Sequence, residues 1–159
     1  MKKTVSVFVS VLLLAALLQS WAMKESHPAT GGRSELNVAT FSLRMDTEKD
    51  GVNAWPNRKE MVKGLIRFHD FDIFGTQEGF KHMLDGIAEL DGYAYIGAGR
   101  DDGEDAGEHS AIFYKTSRFD LLDKGNFWFS ETPDVPGKGW DATCCNRICS
   151  WGKFRDKES

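Results

Sequence analysis

A chain of 159 residues that is 41% hydrophobic, 12% aromatic and 28% charged has the composition of one globular domain, not of a disordered or low-complexity polymer. Its formal net charge of -4 offers no broad basic surface of the kind that holds nucleic acid by neutralising phosphates.

Lys2 and Lys3, the apolar run from Val5 to Leu18, and the small residues Ser20 and Ala22 ahead of Met23 have the pattern of a signal peptide over residues 1–22. The run is shorter than the roughly 20 apolar residues of a membrane span, so the mature chain is expected to carry no transmembrane segment. It is expected to be exported, to the periplasm or outside the cell. Residues 23–34 are polar and contain glycine, which suits a flexible N-terminal tail, and residues 35–159 form the domain.

Leu36, Val38 and Thr40 alternate with Asn37, Ala39 and Phe41, which predicts a strand with one face toward a core. Asp50-Gly51 marks a turn, and Pro56 suits the first residue of a helix whose Met61, Val62, Leu65 and Ile66 share a face through His69. Ile73 and Phe74 then supply a short buried strand that ends in Gln77-Glu78. Parallel strands joined by a right-handed crossover helix follow. The end of a strand in an α/β sheet is where ligands are met, so Glu78 is a candidate site residue.

Met83, Leu84, Ile87 and Leu90 define a second helix, stopped by Asp91-Gly92, and Tyr93–Ile96 a strand. The loop Gly97–Glu108 has neither the spacing of a dinucleotide fingerprint nor that of a calcium-binding EF loop, and a solvated acidic loop is its default. From Ser110 the pattern is mostly β, with strands over Ala111–Tyr114, Phe119–Leu122, Gly125–Phe129 and Arg147–Arg155, and a loop over Thr132–Gly139. Cys144, Cys145 and Cys149 lack zinc-site spacing. Adjacent Cys144 and Cys145 do not readily pair, so at most one bridge, to Cys149, is expected, with one thiol left over.

The stretches Val38–Arg44, Trp55–Arg58, Asp72–Glu78, Gly99–Gly103, Gly107–Tyr114, Phe127–Pro133 and Gly139–Ala142, in this order, resemble the endonuclease/exonuclease/phosphatase family, in particular a bacterial exported branch of these metal-dependent phosphoesterases. The resemblance implies an α/β fold, a two-sheet β-sandwich flanked by helices, here reduced to its N-terminal half. It implies that Glu78 binds a divalent ion, usually Mg2+, and that the substrate is a phosphodiester or phosphomonoester cleaved by metal-activated water. Ser42 stands where the family has Asn, keeping a hydroxyl but losing the amide's reach. Arg100 is a candidate for facing the phosphate. The family's Asn-Thr-His block, its paired Asp and Asn and its closing Asp-His have no counterpart here, so the acid and base groups are expected beyond Ser159. With the charge as it is, a nucleic-acid substrate is not favoured. Whether the chain is itself an enzyme stays open. A non-catalytic truncated remnant and a secreted binding module using Trp55, Trp128, Trp140 and Trp151 stand as alternatives. A half-domain would also leave an apolar sheet face exposed.

Overall fold

The strand β1 (Val38–Ser42), a 3-10 turn (Glu48–Asn53), the helix α1 (Trp55–His69) and the strand β2 (Ile73–Gln77) build the expected crossover unit. The two strands run parallel, with Val38 opposite Ile73 and Ser42 opposite Gln77. The computed structural model describes residues 35–158, and the signal peptide and tail expected over residues 1–34 lie outside the described residues. Pro56 sits in the first turn of α1, where its missing N–H costs no hydrogen bond. Asp70, in the left-handed conformation, ends the helix by donating its N–H to Ile66 O.

Helix α1 buries Trp55, Val62 and Ile66 against the sheet, a narrower stripe than its sequence suggests. Met61 and Leu65, expected on the same face, are 70% and 42% exposed because they border a surface groove beside Leu43 and Arg58. Helix α2 (Lys81–Ala88) packs Met83, Leu84 and Ile87 onto Phe74 and Phe113, whose rings stack at 5.0 Å. The strands β3 (Tyr93–Ile96) and β4 (Ile112–Lys115) complete a sheet of order β1-β2-β4-β3, in which β4 runs antiparallel to both neighbours.

The strands β5 (Phe119–Trp128) and β6 (Ile148–Asp156) form a second, antiparallel sheet. Two strands are suggested by sequence where β5 is one, because the polar Asp123 and Lys124 resemble a turn. The ladder instead continues through an irregularity between Leu121 and Asp123. Phe119 and Phe154 of this ribbon pack on Tyr114 and cover the outer face of the first sheet at its β3–β4 side. At the β1 side the outer face stays open: Ala39 and Phe41 turn inward, while Leu36 and Val38 are 45% and 60% exposed. The layers are those of a mixed α/β fold with two sheets and helices.

The cysteines depart from expectation. Cys144 pairs with its neighbour Cys145, and Cys149 is free. Cys149 is fixed opposite Phe127 in the β5–β6 ladder, whereas Cys144 and Cys145 lie in the loop before it. The tryptophans divide: Trp55 and Trp128 are core, and Trp140 and Trp151 are exposed. Among the described residues no helix is long and apolar enough to cross a membrane.

Candidate functional site

Strands β1 and β2 end side by side, and the chain leaves each through a non-glycine residue with positive φ, Arg44 at 56° and Glu78 at 62°. Such a conformation costs about 1–3 kcal/mol and persists only where the surroundings hold it. Here both turns are held. Ser42 Oγ donates to Glu78 Oε1 at 2.8 Å, and the Met45 N–H donates to Oε2 at 3.4 Å. Arg44 forks onto Asp50 at 2.9 and 3.0 Å, and this hydrogen bond holds the Asp50 carboxyl below its usual range. His82 Nε2 lies 2.9 Å from Asp46 Oδ2, joining the turn to α2.

The loop Gly97–Glu108 keeps Asp101, Asp102, Glu104 and Asp105 exposed, as a solvated acidic loop does, and is also folded on itself. Gly99 lies so close to Ala106 that a Cβ would fall 2.2 Å from its carbonyl oxygen. Asp102 Oδ1 accepts the N–H groups of Glu104 and Ala106 at 2.8 and 3.0 Å, and these donors lower its pKa. The His109 N–H bonds Gly79 O at 2.7 Å and so fastens the end of the loop beside Glu78.

Between these parts lies a cavity of about 480 Å³, lined by Gln77, Glu78, Arg100, Glu108, Asn146 and Arg147, among others. Ser42 meets Glu78 directly, and Arg100 shares its cavity. The Arg100 guanidinium is engaged by Glu108 at 2.8 Å, and its buried Nε has no hydrogen-bond partner among the described residues. The Arg100 carbonyl accepts from Trp128 Nε1 at 2.7 Å and Asn146 Nδ2 at 3.0 Å, which brings the β6 entry to the cavity. Sequence reasoning missed Glu108, Asn146 and Arg147. Arg147 read only as a strand residue, Asn146 fell in no chemical pattern, and Glu108, which closes the acidic loop and stands in the block Gly107–Tyr114, was given no role.

Among the described residues no three His, Cys, Asp or Glu side chains are grouped to hold a metal. A closed zinc-type site is therefore not built from them. One carboxylate with both oxygens oriented, and an adjacent hydroxyl, fits a hard cation of the Mg2+ kind, which keeps several waters and takes few protein ligands.

No protein-family model and no curated protein matches the chain. Among solved structures, an endonuclease/exonuclease/phosphatase family protein from Bacteroides thetaiotaomicron is 54% identical, over 77% of this chain and 44% of its own, with a TM-score of 0.74. The chain belongs to the endonuclease/exonuclease/phosphatase family. Two further members agree. A mannosyl-6-phosphatase of Bacteroides thetaiotaomicron is 53% identical over 79% of this chain and 48% of its own, with a TM-score of 0.76. A protein of the same family from Bacteroides vulgatus is 42% identical over the same shares, 79% and 48%, with a TM-score of 0.76. The chain thus spans under half the length of each of these endonuclease/exonuclease/phosphatase proteins.

Proposed function

We propose that this chain carries the metal-binding part of a divalent-metal-dependent phosphoesterase, with a sugar phosphate monoester as substrate. The observation that carries the reading is Glu78, held in a left-handed turn with each carboxylate oxygen oriented by a donor and opening on a cavity that also holds two arginines. Glu78, with Ser42 beside it, would hold Mg2+ or a similar ion. When bound, that ion supplies charge stabilisation to the phosphoryl oxygens.

The rest is the work of this chain's own side chains. Arg147 and Arg100 offset the carboxylates of Glu78 and Glu108 in the cavity lining, so that a bound divalent ion would leave the cavity net positive and able to draw in a phosphate inside an acidic protein. Gln77, Asn146 and Glu108 offer donors and acceptors suited to hydroxyl groups. A cavity of about 480 Å³ is of the size that takes a small ligand. The mannosyl-6-phosphatase relative supports a sugar phosphate over a polynucleotide, in line with the net charge of -4. Ser42 bonding to Glu78 favours a working centre over a relaxed remnant.

Calorimetric titration of the chain with mannose 6-phosphate, with and without Mg2+, tests this reading. Binding is expected to require Mg2+ and to be lost in Glu78→Gln. Equal binding with and without the ion, or an unaffected Glu78→Gln, would sink it.

A further inference from the structure

The stretch Trp55-Pro56-Asn57-Arg58 has no part in the reading above, yet it reaches the same turn. Trp55 is buried at the start of α1, and the Arg58 guanidinium lies over its ring at 5.1 Å. From that position Arg58 meets three backbone carbonyls. Its Nε donates to Asn53 O at 2.9 Å, its Nη1 to Leu43 O and its Nη2 to Arg44 O. Leu43 and Arg44 are the two residues between Ser42 and Met45, the pair that supplies both donors to Glu78. Arg44 is also the residue of the turn that holds the left-handed conformation. A planar fork of donors can bind two successive carbonyls at once, and a lysine ammonium, as a point charge, cannot fix their relative direction.

We propose that Arg58 is a positioning residue of the Glu78 centre. By binding the Leu43 and Arg44 carbonyls it fixes the turn after β1, so that the Ser42 hydroxyl and the Met45 amide each engage one oxygen of Glu78 and aim the carboxylate at a divalent cation. The proposal rests on the reading of Glu78 as a ligand to that cation. It differs from a purely structural role for Arg58, which would change stability and metal affinity together.

The test follows Mn2+ binding to the chain by the electron paramagnetic resonance of the free ion, with thermal melting recorded for every variant. Arg58→Lys keeps the stem over Trp55 and the charge. It is expected to bind Mn2+ about 10–100-fold more weakly, the usual effect of losing a group that orients a ligand, with little change in melting. Arg58→Ala is expected to lose at least as much and to regain part of it in millimolar guanidinium chloride, which returns a planar fork to the vacated space. Whichever of the two folds decides. Native-like affinity in either variant overturns the proposal, as does an affinity that falls only in step with melting temperature and is not restored by guanidinium. Glu78→Gln separates the levels. If it binds Mn2+ as the native chain does, or if the native chain binds none, the reading of Glu78 fails and takes this inference with it. If Glu78→Gln loses binding while Arg58→Lys keeps it, only the inference fails.

Discussion

Ser42 makes one contact that matters, a hydroxyl hydrogen bond to a carboxylate that must present its other lone pairs elsewhere. Hydrogen bonds to charged groups contribute about 1.5–3 kcal/mol when shielded from water and less where solvent reaches them, as it does here. Ser42→Ala is therefore expected to weaken Mn2+ affinity by roughly three- to tenfold and to leave melting almost unchanged. Ser42→Asn, which restores the amide of the family pattern, is expected to bind at least as tightly as the native chain. A titration in which Ser42→Ala binds unchanged would remove Ser42 from the centre. At this scale Glu78 and Ser42 were legible because they stand at the end of a strand beside a recognisable block. Arg58 stood in such a block too, but its partners are backbone carbonyls, and carbonyls leave no signature in a sequence. Asn146 and Arg147 reach the cavity only through the pairing of β6 with β5, a long-range contact that local pattern does not contain.

Element by element, the two sheets are tied together at one end by charge. Arg118, buried at the start of β5, donates from Nη1 to Asp72 Oδ2 at 2.7 Å and to Glu35 O at 2.8 Å, and from Nη2 to Asp156 Oδ2 at 3.0 Å. Asp72 also accepts the Asn37 N–H at 2.9 Å and Lys115 Nζ at 3.0 Å. This one cluster joins the entries of β1 and β2 to the β4–β5 turn and the end of β6. Burial pushes the Asp72 carboxyl up, but the Asn37 amide, Lys115 and Arg118 together hold it below its ordinary value. A carboxyl with a depressed folded pKa contributes stability that is fully present above its unfolded pKa and lost as pH falls through the lower folded one. Urea midpoints are thus expected to be flat near neutrality and to drop below about pH 4, and in Asp72→Asn that acid step should shrink. The same substitution leaves Arg118 with one fewer anion in a buried site and is expected to cost about 3 kcal/mol. An Asp72→Asn chain with native stability and an unchanged acid limb would mean that packing alone joins the sheets. The strands of this junction were legible from their alternation. The network was not, because its members are spread along the chain from Glu35 to Asp156 and each alone looks like a solvated surface charge.

For the molecule as a whole, the open side of the first sheet decides behaviour. Strand β1 is an edge strand, and Leu36 and Val38 beside that edge are 45% and 60% exposed. An uncovered edge with apolar residues is a template for pairing with another chain. Burying each such side chain contributes about 1.5–3 kcal/mol, which is not small against the roughly 5–15 kcal/mol that separates a folded domain from its unfolded state. The family relatives are more than twice as long as the part matched here, so they have chain enough to cover this face. The 159-residue chain has no such cover among its described residues, and it is expected to self-associate as its concentration rises. Sedimentation velocity across a concentration series checks this directly. Val38→Lys places a charge at the centre of the exposed patch without touching the core that Ala39 and Phe41 build, and it is expected to shift the population toward monomer at unchanged melting temperature. A native chain that sediments as a monomer at every concentration and melts in one cooperative step would show that the inner core of Phe74, Phe113 and α2 suffices by itself. The open face would then be solvated surface, and the proposed metal centre at its end would stand on a fold that this inner core holds by itself.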